Sequence, residues 1–380
     1  MHGRGARAAP LHAVGFQPLD SADVSEIRRR HRPSASAPLP RPRLHRLFAA
    51  LVVAGLALVT ALALGFRYGG ESMWWLEIAR YVPFPLYLVP ALGLVACAWP
   101  LGWRWRALSI LAPAIVVTEL MGLALGSPDD GGGRLRLMTY NVKAYLAQAS
   151  PDGYAKLARE IASQDADVIV MQDANPMSTD TALPDPIRAA LQGREVYRAD
   201  QYIVASRHPL SHCALGDMSA PEEDDHFVHC TLSVAGRDID LFTAHLVSPR
   251  EGLNAARGKA AGGLREWEDN FHARLAEAGR LAAAVGPGSR PTILAGDLNA
   301  DERSPVVRRL LATGLRDAFS SASIGYGYTL GHALKPGFSF LRIDHVLVSH
   351  DIGAVECTPG GREASQHRPV VCDLLIQAKK

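Results

Sequence analysis

Six short stretches of the chain place polar side chains at the ends of apolar runs. Thr139-Tyr140-Asn141-Val142 closes the first run, Gln172-Asp173 the second, Thr243-Ala244-His245-Leu246 another and Gly296-Asp297-Leu298-Asn299 another. Arg342-Ile343-Asp344-His345 opens a late run, and Ser365-Gln366-His367-Arg368-Pro369 precedes the last. Ligand-binding and catalytic groups concentrate where loops leave a sheet. Carboxylates, carboxamides and two histidines arriving in this way suit a hard metal ion beside a phosphate. In-line attack of water on phosphorus needs a deprotonated nucleophile, neutralisation of the equatorial oxygens and help for the leaving oxygen.

The elements that must position these groups follow from periodicity. Strand-like runs cover 135–142, 167–172, 202–206, 227–234, 239–246, 292–295, 343–349 and 370–375. A helix opened by Ser150 and Pro151, a helical stretch over roughly 256–285 and a shorter helix after Ser304 and Pro305 lie between them. Strands and helices interleaved over about 250 residues predict one large α/β domain, and no internal repeat is visible. Arg257, Arg265, Arg274 and Arg280 are expected on the solvated face of the long helix.

From about Arg136 to Leu375 the six ordered motifs resemble those of the endonuclease/exonuclease/phosphatase superfamily, which includes DNase I, abasic-site endonucleases, neutral sphingomyelinases and inositol-polyphosphate phosphatases. The resemblance implies a four-layer α/β sandwich, two packed mixed β-sheets flanked by helices, and divalent-metal-dependent hydrolysis of a phosphoester or pyrophosphate bond. It also implies roles. Asp297 activates or orients the water and Asn299 contacts phosphate. Asn141 and Asp173 match positions that hold Mg²⁺, and Gln366 stands in the metal's surroundings. His367 contacts a phosphoryl oxygen, Asp344 fixes its tautomer and favours its protonated form, and His245 is suited to a non-bridging or leaving oxygen. His345 reads as structural. Two residues depart from the family pattern: Asp173 where Glu is usual, and Gln366 where Asp is usual. A shorter carboxylate and a lost charge predict weaker Mg²⁺ binding, with Mn²⁺ as an alternative ion, and leave a catalytically inactive sensor domain as one alternative.

Ahead of this domain, runs at 47–66, 81–100 and 107–126 are each about the ~20 residues that a helix needs to cross the membrane. They predict a three-helix transmembrane anchor over 47–126, behind a polar tail of residues 1–46 whose first 40 residues read as disordered. The second run contains Pro83, Pro85 and Pro90. The third contains Glu119, read as a protonated carboxyl bonded between helices, with a functional role as the alternative. Nine arginines precede the first run, and Arg104 and Arg106 lie between the second and third. The positive-inside tendency puts both groups in the cytoplasm, so three crossings leave the linker 127–134 and the domain 135–380 outside. The combination resembles the membrane-bound bacterial members of the superfamily, including teicoplanin-resistance proteins, and places the chain in the cytoplasmic membrane.

An extracytoplasmic domain gives Cys213, Cys230, Cys357 and Cys372 an oxidising compartment. Of three possible pairings, Cys213 with Cys230 and Cys357 with Cys372 join neighbouring strand-like segments; four free thiols are the alternative. His208, His212, Cys213, His226, His229 and Cys230 offer zinc-ligand types at no standard spacing. Glu222–Asp225 reads as a solvated acidic loop, with a Ca²⁺ site as the alternative. The overall net charge of +2 conceals a split: residues 1–126 hold 13 arginines against six carboxylates, a net +7, which leaves −5 for the remainder. A net −5 domain lacks the basic footprint of a nucleic-acid enzyme. Tethered close to the bilayer, it is matched better to a lipid-linked phosphate or pyrophosphate. A surface nuclease is the second enzyme reading.

Overall fold

The computed structural model describes residues 41–219, 225–258, 260–286, 288–334 and 337–377. The expected disordered tail and most of the acidic run, Glu222 to Asp224, lie outside the described residues. The chain divides into two compact units, 1–47 and 48–380; the first contributes only the opening of a helix to the described residues.

The N-terminal apolar region does not form three uninterrupted helices. Arg41–Tyr68 is one helix, and over Arg43–Tyr68 it is long and apolar enough to cross a membrane, with 11% of its most apolar window buried. The second expected span is broken. Segments Glu71–Arg80 and Pro85–Leu101 meet at a bend of 79°, because Pro83 and Pro85 lack the amide hydrogens that a continuous ladder requires. The third run is helical over Trp103–Ile115 and ends in a wide turn, Val116–Leu120, short of Gly126. By length and composition, one helix among the described residues qualifies as a span, or two if the bent pair is one span. Glu119 does reach another helix, but through guanidinium partners: its carboxylate pairs with Arg67 of Arg41–Tyr68 at 3.5 Å and with Arg303 at 2.8 Å.

The described strands are β1 Ala124–Leu125, β2 Gly133–Asn141, β3 Val168–Gln172, β4 Glu195–Ala199, β5 Tyr202–Ser206, β6 Leu210–Asp217, β7 His226–Val234, β8 Arg237–His245, β9 Thr292–Asp297, β10 Leu315–Asp317, β11 Ile324–Gly325, β12 Asp344–Ser349, β13 Ile352–Pro359 and β14 Val370–Ile376. They build two six-stranded mixed sheets, ordered β10-β12-β9-β8-β7-β6 and β13-β14-β2-β3-β5-β4, while β1 pairs with β11. Each large sheet has one parallel pair, β8 with β9 and β2 with β3. The sheets pack face to face through Leu135, Leu137, Val168 and Val170 against Val228, Leu232, Ile239 and Ile293. Helices cover both outer faces. Leu157 and Ile161 of Gly153–Gln164 lie over Met138, Ile169 and Met171, and Phe271, Leu275 and Leu281 of Ala260–Val285 lie over Phe242, Leu294 and Leu347. This is the expected four-layer sandwich. It explains why β3 reads Val-Ile-Val-Met without alternation: both of its faces are buried.

Two expected boundaries shift. The helix after Ser150 and Pro151 begins at Gly153. The long helical stretch is two helices, Arg250–Gly258 and Ala260–Val285, so Arg257 belongs to the first. The linker is docked, with its Ser127 and Asp129 amides donating to the Ser321 and Ala354 carbonyls at 2.9 and 2.8 Å. Disulfides join Cys213 to Cys230 across β6 and β7, and Cys357 to Cys372 across β13 and β14. Four free thiols are excluded by this arrangement, and Cys97 is free.

Candidate active site

Strand register carries the polar ends to one place. In the first sheet His245 is paired with Asp297 between β8 and β9, and Asp297 with Asp344 between β9 and β12, so three functional side chains stand in a row. A Cβ at Gly296 would run into the Ala244 carbonyl oxygen, so β8 and β9 approach this closely only with glycine there. From the second sheet, Asn141 at the end of β2 reaches across and donates from Nδ2 to Asp297 Oδ2 at 2.8 Å. His367, just ahead of β14, completes the group: its Nδ1 lies 2.9 Å from Asp344 Oδ2, and its Nε2 lies 3.7 Å from Asp297 Oδ2. His245 Nε2 is 3.5 Å from the same oxygen.

Asp297 is therefore a buried carboxylate faced by two imidazoles. Burial works against its charge, but the His367 and His245 rings, the Lys143 ammonium and the Asn141 amide outweigh burial and hold the carboxyl below its ordinary range. The two histidines are tuned in opposite directions. Burial opposes a charge on His367, yet Asp344 and then Asp297 overcome it and raise its pKa. For His245 burial prevails over the Asp297 charge and lowers it. The Gln201 amide oxygen, 2.6 Å from His245 Nδ1, accepts and so keeps that proton on Nδ1. One imidazole is thus favoured as a donor and the other as a neutral base, and pairs of groups pushed apart in this way are the mark of acid–base sites.

The backbone is strained here too. Lys143, Asp173 and Asn299 have φ of 46°, 52° and 49°, a region costing non-glycine residues about 1–3 kcal/mol and retained where the surroundings over-determine it. The Asn299 amide nitrogen donates to Asp297 Oδ1 at 3.0 Å, and its Nδ2 donates to the Leu246 carbonyl at 2.7 Å. Its side chain thus ties the Asp297 loop to the end of β8.

The residues expected to hold metal are arranged unequally. Asn141 lies against Asp297, and Asp173 is paired with the Lys143 ammonium at 2.5 Å. Gln366 sits apart at the rim, where its Oε1 accepts from Arg250 at 3.3 Å; no described hydrogen bond joins it to Asn141 or Asp173. Among the described residues, the acid and imidazole ligand atoms lying within 4.8 Å of one another are those of Asp297, Asp344 and His367. Buried carboxylate and amide oxygens suit a hard divalent ion that keeps some of its waters. The zinc arrangement fails, because Cys213 and Cys230 are consumed by their disulfide and His229 is paired with Asp240 at 3.1 Å.

Several site residues have no motif to announce them. Lys143 and Gln201 act through contacts between sequence-distant loops. Arg274 is not on a solvated face: it is fully buried, donating to the Tyr81 hydroxyl oxygen at 2.6 Å and the Asn299 carbonyl at 3.3 Å. The Tyr81 hydroxyl itself donates to the Asn299 carbonyl at 2.7 Å. Arg80 grips Asp301 with two 3.0 Å bonds and Glu77 at 2.6 Å. The Glu77–Arg80 spacing between two apolar runs was the available sign of this second layer. His345 is structural, with its ring nitrogens 2.7 Å from Asp317 Oδ2 and 2.9 Å from the Ala300 carbonyl oxygen.

The sandwich and the constellation at one end of it define a phosphoester-hydrolase architecture. The family model described as the endonuclease/exonuclease/phosphatase family matches residues 138–367, more than half of the chain, and the chain belongs to that family. Members of the family are metal-dependent phosphoester hydrolases. Comparison with curated proteins gives no match. Similar solved structures include an endonuclease/exonuclease/phosphatase family protein from Bacteroides thetaiotaomicron, at 16% identity and TM-score 0.47 over 65% of this chain and 100% of that one. A mannosyl-6-phosphatase from Bacteroides thetaiotaomicron VPI-5482 is similar at 16% identity and TM-score 0.47 over 64% and 100%. The human Nocturnin catalytic domain, solved with bound sulfate, is similar at 17% identity and TM-score 0.47 over 66% and 94%.

Proposed function

We propose that the chain is a membrane-anchored, extracytoplasmic, Mg²⁺-dependent phosphohydrolase acting on a lipid-linked phosphate or pyrophosphate, of the type the teicoplanin-resistance proteins represent. The observation that carries the hydrolytic half is the Asp297 carboxylate held ionised between two oppositely tuned histidines. Asp297 orients and deprotonates water. His367, charged and aimed by Asp344, donates to a phosphoryl oxygen, and His245, neutral with its proton held by Gln201, helps Asp297 orient the water. Asn141, Asp173 and Asp297 would hold the divalent ion once the Lys143–Asp173 pair opens, and phosphoryl charge would be neutralised there.

The membrane half rests on exposed apolar surface. Leu58, Leu64, Leu86, Val89 and Ile110 of the N-terminal helices are each more than half exposed, where a core helix would be buried; a surface of this kind marks a lipid or partner contact. In this reading the arginine-rich tail is cytoplasmic and the chain crosses three times. Pro85–Leu101 and the stretch 103–120 rise about 25–27 Å each, slightly short of the ~30 Å hydrocarbon core. The two disulfides suit an oxidising outer compartment. The test is the purified full chain with Mg²⁺ or Mn²⁺, offered prenyl pyrophosphate, phospholipid and plasmid DNA. Phosphate release from the lipid substrate is expected. DNA cleavage without lipid hydrolysis contradicts the substrate class, and inactivity on every substrate supports a sensor domain instead.

A further inference from the structure

A cavity of about 410 Å³ opens directly beside the site, with Lys143, Asn299 and His367 forming its inner end. Its lining has two chemistries. Leu253, Leu330, Leu334, Leu341 and Ile343 give it an apolar wall, and Arg250 and Arg257 give it positive charge. The two arginines share a face of the helix Arg250–Gly258, since Arg250, Leu253, Asn254 and Arg257 recur at i, i+3, i+4 and i+7. The opposite face of that helix is buried through Gly252 and Ala255, and a Cβ at Gly252 would come within 3.1–3.3 Å of Asn270 and Trp267. Close packing on the small residues turns the arginines toward the cavity. Neither is neutralised there. Arg250 contacts only the neutral Gln366 amide, and Arg257 makes no hydrogen bond or ion pair with any described residue. Two uncompensated guanidinium groups on a net-acidic domain, beside a phosphate site and above an apolar wall, are complementary to an anion joined to an apolar chain.

Tyr81 and Pro83 also line the cavity, in the bend that leads into Pro85–Ala98. Leu86 and Val89 of that helix are each 65% exposed. A chain leaving the cavity there continues along an apolar helix.

We propose that this cavity is the leaving-group subsite for an apolar-chain diphosphate. The terminal phosphate occupies the Asp297–His367 site, the inner phosphate lies on Arg250 and Arg257, and the first chain segments lie on Leu253, Leu330, Leu334 and Leu341. This deepens the hydrolase reading and rests on it. In the step so defined, water oxygen bonds to the terminal phosphorus as the bond from that phosphorus to the bridging oxygen breaks. The chain monophosphate leaves with the bridging oxygen and its electron pair, stabilised by the two guanidinium groups. The water proton passes to Asp297 and then to solvent.

The test uses the full chain in detergent micelles with Mg²⁺, and farnesyl pyrophosphate, farnesyl monophosphate and inorganic pyrophosphate as probes. The double variant Arg250→Gln, Arg257→Gln is expected to lower kcat/KM for farnesyl pyrophosphate by about a hundredfold, roughly tenfold for each charge-assisted contact. The loss on farnesyl monophosphate is expected to be at least tenfold smaller. Leu253→Ser, which removes apolar surface without adding charge beside the arginines, is expected to raise KM for farnesyl pyrophosphate but not for inorganic pyrophosphate, and Arg265→Gln, on an exposed helix face, changes neither. Calorimetric binding of farnesyl pyrophosphate with metal chelated separates the two levels of the account. Binding that the double variant abolishes, without turnover by the native chain, overturns the hydrolase reading and keeps the subsite. Turnover that the double variant leaves intact, or reduces equally for both farnesyl substrates, overturns the subsite. Neither binding nor turnover overturns both.

Discussion

Asp297 owes its charge to the neighbours that offset its burial, so removing them has unequal effects. Asp297→Asn and His367→Ala each delete a proton-transfer group and are expected to lower kcat by about 10²–10⁴-fold in a phosphate-release assay. Asp344→Asn leaves the His367 ring present but unaimed and is expected to cost less; equal loss in all three would contradict the division of roles. A second buried carboxylate bears on stability. Burial works against the charge of Asp317, but Arg342 and then His345 outweigh it and hold the carboxyl well below the ordinary range. A carboxyl whose folded pKa lies below its unfolded value stabilises the fold above that unfolded value, near 4, and loses the contribution as pH falls through the folded one. Calorimetric melting is thus expected to weaken below about pH 4, and Asp317→Asn to flatten that dependence while costing about 3–5 kcal/mol at neutral pH. An unchanged acid slope in the variant would contradict this. The motif residues were legible because strand ends advertise them. Arg274 was not, because only the arrival of Tyr81 from about 190 positions away in the chain gives its guanidinium a buried partner.

The central strands could be read from sequence as apolar runs, whereas of the edge strands only those around Cys213 and Cys357 left a mark, through the cysteine pairing. β4, β6, β10 and β13 are missing from the apolar runs, and each is an edge of its sheet. An edge strand is half-covered and carries polar residues against stray pairing, as β6 shows with no position fully buried. The N-terminal helices mislead in a different way. Composition alone casts them as an anchor, whereas Trp74–Arg80 is also a buttress, with Arg80 on Asp301, Tyr81 on Asn299 and the Trp74 carbonyl accepting from the Trp267 indole at 3.0 Å. Tyr81→Phe removes one bond from the catalytic loop and strips the Arg274 guanidinium of a partner. The expected result is a folded protein with kcat lowered about tenfold, equivalent to roughly 1.4 kcal/mol of lost positioning. Unaltered kcat would show that the loop holds its shape without the helix.

At the scale of the whole molecule, the apolar segments after residue 48 and the acidic α/β domain belong to one compact unit. The charge split of +7 against −5 is visible in composition and the bend in the prolines at 83 and 85; the docking of the linker and the cleft beside His367 depend on tertiary contacts that no local pattern encodes. The site, the exposed apolar helices and the cleft all bear on one central claim, hydrolysis of a phosphate that arrives on a lipid. The most direct measurement is inorganic phosphate release from farnesyl pyrophosphate in mixed micelles with Mg²⁺, comparing the native full chain with Asp297→Asn. The account predicts release that rises with the mole fraction of substrate in the micelle and falls by at least about a hundredfold in the variant. Release indifferent to the Asp297 substitution, or absent while plasmid DNA is cut, would contradict it.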